Sequence, residues 1–413
     1  MRYIVNEDVV LSRPLEGPLS AHIEAFAASL REQGYAPKTR HSQVLLAACF
    51  SLWLGQKAIR VRDVVGNKHL TQYLRSRARH SRIHRGDVAT LKQFLEFLRR
   101  KSIVPTEKTS PRPLTPIEQE TRAFETYLRN ERALAETTIA YCVRLTRRFL
   151  TDWFGNGRVM LSRLSAGDVV RFVQRQVPRL HWKNAKRLAA VLRSFLNHAR
   201  YRGDITCDLA GAVPCVPAWS MTSIPRAIGA DAVRQVLASI DRRTPAGRRD
   251  YAVLLLLARL GLRAGEVALL ELDDIDWAAG GLRVRGKGGQ FATLPLSAEV
   301  GKAIVSYLRH GRPQSTSRRV FLRLKAPIRG FVGQQAITAL VGYCLARAGI
   351  KSPSKGAHQF RHALAVQMLR HGASLTEIGE VLRHRSPQTT MIYAKVDLEA
   401  LRPLALPWPG GAG

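Results

Sequence analysis

Leu282-Arg283-Val284-Arg285-Gly286-Lys287-Gly288-Gly289-Gln290-Phe291-Ala292-Thr293-Leu294-Pro295-Leu296 is the stretch on which the fold class turns. Residues 282–285 and 291–296 read as two short strands, and Gly286 to Gln290 is the kind of Gly-rich connection that a hairpin requires. On both sides the pattern is helical. Ala230 to Leu237 and Arg249 to Leu260 read as helices before the hairpin, and helical spacing resumes after Gln334 and runs to Leu401. Residues 226–406 therefore read as one mostly helical domain carrying a small sheet.

Farther out, three Pro-, Ser- or Thr-rich stretches punctuate the chain at residues 11–20, 104–116 and 213–225. Between them apolar residues recur at three- and four-residue spacing with almost no period-two alternation. Residues 15–105 and 115–215 read as two small helical domains that resemble each other. Phe26, Leu30 and Arg31 align with Phe124, Leu128 and Arg129; Thr39 aligns with Thr137, and Phe97-Leu98 with Phe195-Leu196. With a one-residue slip, Val65, Leu70, Tyr73 and Leu74 meet Leu164, Val169, Phe172 and Val173. A duplication accounts for this, and so do two amphipathic bundles sharing apolar positions. The fold class expected is mainly α with a small β-sheet.

The 413 residues include 65 Lys and Arg against 31 Asp and Glu, a formal charge of +34. Such a charge repels itself unless a polyanion neutralises it, and nucleic acid is the commonest such partner. The excess is spread along the chain: residues 1–225 carry 37 basic and 18 acidic side chains, residues 226–413 carry 28 and 13. A basic tail on a neutral enzyme would look different. The apolar share of 46% supplies a sizeable core and excludes a wholly disordered basic chain. The N-terminus has no apolar stretch of signal-peptide length, and the greasiest run, Tyr251 to Leu262, is broken by Arg259 and too short to span a bilayer. Five cysteines (Cys49, Cys142, Cys207, Cys215, Cys344) are odd in number and lack metal-like spacing. The expectation is a soluble cytoplasmic protein with reduced thiols, no membrane association and no metal.

Chemistry-bearing residues concentrate after residue 226. Gly261-Leu262-Arg263-Ala264-Gly265-Glu266 sits between two helical stretches, Lys287 sits on the hairpin tip, and His358-Gln359-Phe360-Arg361-His362 opens a long helix with His358 and Arg361 one turn apart. Ser374-Leu375-Thr376-Glu377 is a capping box that starts a helix ending near Leu382-Arg383-His384. Ser386-Pro387 offers an N-cap and a first helical position for a final segment carrying Tyr393. Singly, each is unremarkable: Tyr393 would be a packing residue, Arg263 a cap, Lys287 a solvated turn lysine and His384 a surface histidine. The ordered set carries the inference.

At these residues the sequence resembles the tyrosine recombinase (phage integrase) family. That pattern is an Arg in a Gly-Leu-Arg-x-Gly-Glu segment, a Lys on a β-hairpin, His-x-x-Arg, a His or Trp, and a nucleophilic Tyr. Arg263, Lys287, His358, Arg361, His384 and Tyr393 match it in order. The likeness covers residues 226–406, with a weaker one to the family's helical core-binding domain upstream, so that residues 15–105 and 115–215 are core-binding-like. It departs at Gln359-Phe360, where Asp-Leu is more usual, and in having a second helical domain.

The resemblance implies two helical domains ahead of a mixed α/β catalytic domain. Arg263 and Arg361 would fork the scissile phosphate, with His384 donating a further hydrogen bond. Lys287 would protonate the leaving 5′ oxygen, and His358 would serve Tyr393 as general base or proton relay. Glu266 and His362 would be supporting residues. The product would be a 3′-phosphotyrosine, so strand exchange would need no ATP, metal or other cofactor.

The implied partner is double-stranded DNA, held by a homotetramer on two sites, with accessory recombinases or DNA-bending proteins as further partners. Val396 to Leu406 would dock on a neighbour or fold back on its own domain. Lys68, Arg75, Arg77, Arg79, Arg82 and Arg85 would lengthen the DNA footprint, or form a solvated helix face. The extra helical domain favours integration, excision or transposition of a mobile element. Chromosome or plasmid resolution, a type IB topoisomerase-like reaction and a non-catalytic DNA-binding regulator stay open.

Overall fold

The computed structural model describes residues 3–6, 9–11, 14–64, 66–84, 86–105, 113–155, 157–217, 227–286, 289–352 and 356–396. The chain divides into two compact units, one of residues 1–107 together with 223–413, the other of residues 108–222. The architecture is predominantly helical with small antiparallel sheets.

The first unit opens with an antiparallel pair, β1 (Tyr3–Asn6) and β2 (Val9–Leu11), in register Tyr3↔Leu11. The sequence reading passed over this pair, which is too short for a period-two signal. Val5, Val9 and Leu11 bury themselves in the same core as the helices that follow, so this body starts well before residue 15. Those helices are α1 (Ile23–Glu32), α2 (Pro37–Gln56), α3 (Gly66–Ala78) and α4 (Asp87–Arg100). Pro37 starts α2 at the position where its missing N–H costs nothing. Phe26, Phe50 and Phe94 are fully buried at the centre, with the Phe26 and Phe94 rings 4.8 Å apart.

The second unit contains α5 (Pro116–Asn130), α6 (Glu136–Phe154), α7 (Ala166–Gln176) and α8 (Trp182–Tyr201). Reciprocal capping boxes start two of them, Thr115 with Glu118 and Ser165 with Asp168. Phe124, Phe149, Phe172 and Phe195 form its core. Internally the two bodies use the same order of four helices, each with a 3₁₀ turn before the third. The aligned residues Phe26 and Phe124, Leu30 and Leu128, Tyr73 and Phe172, and Phe97 and Phe195 are buried in both.

Residues 227–396 belong to the first unit and have their own core. Its centre is α10 (Pro245–Arg259), which follows α9 (Ala230–Ala238). Val253 to Leu257 are all fully buried, because this run is apolar all round and is enclosed by neighbours on every side. The helix begins earlier than its periodicity indicated, since Thr244 Oγ1 accepts the Gly247 N–H at 3.0 Å and Pro245 takes the first position. After α11 (Ala264–Leu269) comes a sheet ordered β3-β4-β5: Ile275–Asp276, Gly281–Arg285 and Phe291–Pro295. The hairpin β4–β5 pairs Gly281 with Pro295 through Arg285 with Phe291; the two-residue β3 was not foreseen. Then come α12 (Ala298–His310), α13 (Gln334–Arg347), α14 (His358–Arg370) and α15 (Leu375–Val381).

Ser374 and Glu377 form the expected capping box at the start of α15. The segment carrying Tyr393 is two 3₁₀ turns, Pro387–Thr389 and Met391–Val396, and the Ser386 side chain makes no capping hydrogen bond. Among the described residues no helix is long and apolar enough to cross a membrane. Of the segment at 396–406, only Val396 is described.

Candidate active site

The site is built where the turn after α10 meets α14 and the end of α15. Gly261 makes that turn with a φ of +58°, and a Cβ there would stand 2.7 Å from Leu382 Cδ2 and 3.0 Å from Leu364 Cδ2. Only glycine accepts both the conformation and the closeness. Two residues on, Arg263 takes the N-cap position of α11. The Glu266 carboxylate turns back to accept the Arg263 backbone N–H at 2.9 Å and its Nη1 at 2.7 Å. Glu266 thereby holds Arg263, whose side chain stays 35% exposed.

Arg361 is enclosed, at 1% exposure. Its Nη1 donates to Gly261 O at 2.5 Å and its Nη2 to Leu382 O. It therefore ties the turn after α10 to the end of α15. Burial, then the charges of Arg263 and Arg383, push its pKa down to about 9.

Tyr393 is buried at 1% against Ala365, Ile378 and Leu382, with the His362 and His384 rings beside it. Its hydroxyl lies 2.9 Å from His362 Nδ1. Of the two histidines expected near the tyrosine, His358 as base or relay and His362 as support, it is His362 that meets the hydroxyl. His358, at the exposed start of α14, meets the His362 ring edge-on at 4.4 Å. The spacing of four from His358 was the one signal that places His362 on that face. His384 lies parallel to the Tyr393 ring at 6.4 Å, and its Nδ1 is 2.7 Å from Thr390 Oγ1. Thr390 and Arg383 carried no signal in the sequence.

Burial pushes the Tyr393 phenol up to about 12, against the pull of Arg361. Burial first, and then neighbouring positive charge, pushes His362 and His384 down to about 4. At neutral pH the tyrosine is therefore protonated and the imidazole it faces is neutral.

Lys287 lies outside the described residues. The strands flanking it do not: Gly286 N–H donates to Gln290 O at 2.7 Å, and Arg385 Nη2 donates to Gln290 Oε1 at 3.2 Å. The hairpin base thus closes a cavity of about 340 Å³ lined by Arg263, Gly286, Gln290, Arg383, His384 and Thr389. Among the described residues no group of three or more His, Cys, Asp or Glu side chains is arranged to hold a metal ion.

On α3 and the turn after it, Lys68, Arg75, Arg79 and Arg82 are exposed. Arg77 is half-buried with its Nε 3.8 Å from Asp87 Oδ2, so it is separated from the exposed run. Arg85 lies outside the described residues.

The family model described as the phage integrase family matches residues 226–399. The chain is 54% identical over 412 residues to a protein of Sinorhizobium fredii (strain NBRC 101917 / NGR234) named as an integrase/recombinase, y4rA, with 100% of both chains covered. It is 30% identical over 301 residues to tyrosine recombinase XerD of Mycobacterium tuberculosis (strain ATCC 25618 / H37Rv), covering 69% of this chain and 94% of that one. Among solved structures it is similar to the XerH site-specific recombinase bound to a palindromic difH substrate. That likeness has a TM-score of 0.56 at 16% identity and covers 72% of this chain and 98% of the other. A lambda integrase dimer bound to a COC′ core site gives a TM-score of 0.53 at 12% identity, over 75% and 87%. At these identities the two structures bear on the fold alone.

Proposed function

The chain belongs to the phage integrase family of tyrosine recombinases, and from that premise we propose that it is a site-specific DNA recombinase working through a 3′-phosphotyrosine. Tyr393 Oη attacks the scissile phosphorus, forming the phosphotyrosyl bond as the bond to the 5′ oxygen breaks. The leaving 5′ oxygen takes its proton from Lys287, and the tyrosine proton passes to His362. Arg263, half-exposed on the cavity, faces the non-bridging oxygens. Arg361 adds its charge from the enclosed side, and His384 donates a further hydrogen bond. His358, at the mouth, relays the proton from His362. Religation by a 5′ hydroxyl of a second strand reverses the step, so no energy source is consumed.

The observation that carries this reading is the hydroxyl of Tyr393, 2.9 Å from the neutral His362 Nδ1 and on the same buried floor as Arg361. A charge of +34 supports duplex DNA as the partner. The full-length likeness to an integrase/recombinase supports a mobile-element task of integration, excision or transposition. The assembly is a homotetramer on two DNA sites, with residues 15–105 and 115–215 as helical domains that grip the duplex beside a catalytic domain at 226–406. Accessory recombinases or DNA-bending proteins would complete it.

The test uses nicked duplexes tiled across the DNA that flanks this gene. Wild type is expected to leave a denaturation-resistant protein–DNA band that Tyr393→Phe does not form. A band that persists in Tyr393→Phe would remove the nucleophile, and salt-sensitive binding with no band on any duplex would remove the catalytic reading.

A further inference from the structure

We propose that Arg383, which lies outside the recombinase pattern, is a positioning residue of this site: it clamps Glu266 and through that carboxylate sets Arg263 against the phosphate. The proposal rests on the functional reading above.

Three observations converge on it. Arg383 holds a φ of +54°, a left-handed conformation disfavoured for any residue with a Cβ. Glycine would sit there without strain. The chain keeps an arginine instead, between Leu382, whose carbonyl holds Arg361, and His384 on the cavity wall. Strain retained beside a reactive site points to use.

The second observation is a closed ring of contacts. Arg383 Nη2 donates to Glu266 Oε2 at 2.9 Å, Glu266 Oε1 accepts Arg263 Nη1 at 2.7 Å, and Arg263 Nη2 returns to Arg383 O at 3.4 Å. The side chain of Glu266 is 4% exposed and that of Arg383 14%.

The third is the charge balance. Arg263, Arg361 and Arg383 surround the one carboxylate of Glu266, and Arg383 Nε and Nη1 are buried without an acceptor among the described residues. Burial, despite Glu266, holds the Arg383 pKa below its ordinary value. An apolar side chain would be cheaper to bury than this surplus cation. The ring explains what the cost maintains: a guanidinium pair held rigid where charge develops on the phosphate, so that the barrier to phosphoryl transfer carries no cost for ordering Arg263.

Arg383→Gly removes the side chain and relieves the backbone, and Arg383→Lys keeps the charge with a reach to Glu266. Single-turnover formation of the Tyr393-linked complex on the nicked duplex is expected to slow about 10–100-fold in Arg383→Gly. Affinity for the intact duplex stays unchanged, and Arg383→Lys recovers part of the rate. In a cycle with Glu266→Gln, the double variant is expected to be no slower than the slower single variant, because both act through one contact. Wild-type rate in Arg383→Gly would overturn the proposal, as would additive losses in the cycle.

Should wild type form no Tyr393-dependent complex, the functional reading fails on its own. Urea unfolding of the four proteins of that cycle then decides the clamp. Non-additive stabilities are expected, and additive ones overturn it.

Discussion

Burial sets the protonation of the site residue by residue, and that makes it testable by pH. His362 and His384 titrate near 4 in the folded chain against about 6.5 when unfolded. Between those values the unfolded state binds more protons, so stability is complete above about pH 6.5 and falls as pH drops toward 4. Urea unfolding from pH 4.5 to 7.5 is expected to show that fall in wild type and a shallower one in His362→Asn. The two arginines should separate in the same assay. Arg361→Ala leaves Gly261 O and Leu382 O without their donor and is expected to cost about 2–4 kcal/mol, by the penalty for buried unpaired groups. Arg263→Ala, half-exposed, takes one donor from a Glu266 carboxylate that keeps Arg383, and should cost less than Arg361→Ala. Both should lose the covalent complex. The residue types and their order were legible in the sequence, but which arginine is enclosed, and which histidine meets Tyr393, was not. Those depend on the angle at which α14 passes the turn at Gly261, and no local signal encodes that angle.

Among the elements, the turn at Gly261 is the most constrained. Gly261→Ala would place a Cβ against Leu382 and Leu364 at a left-handed φ. Thermal unfolding is expected to register a loss of about 1–3 kcal/mol. Because the same turn offers its carbonyl to Arg361, the covalent complex should weaken with it. Ser374→Ala opens the capping box of α15 at about 1 kcal/mol and should leave chemistry nearly untouched. Capping boxes and the β4–β5 hairpin were readable because their determinants lie within a few residues of each other. The β1–β2 pair and the 3₁₀ turns at Tyr393 were not. Strands of three or four residues give no usable periodicity, and the Tyr393 segment takes its shape from packing on Ala365, Ile378 and Leu382.

For the whole molecule, the governing quantity is a charge of +34 spread along the chain. If six to ten phosphates are contacted, DNA affinity is expected to fall about 10³–10⁵-fold between 50 and 200 mM salt, measured by titration at several ionic strengths. Neutralising Lys68, Arg75, Arg79 or Arg82 should each lower the slope of log K against log salt by about one where that residue meets a phosphate. Arg77→Ala should act on stability instead, through Asp87 and the α3–α4 packing. Composition, the order of helical and strand patterns, and the spacing of six functional residues all follow from the chain alone, because each is a local or additive property. Three things were decided only when the chain folded: the enclosure of Arg361, the pairing of Tyr393 with His362, and the ring joining Arg383 to Glu266 and Arg263. Apart from the local Arg263–Glu266 pair, their partners lie 21 to 120 residues apart, and such contacts are selected by the packing of one helix surface against another rather than by any pattern along the sequence.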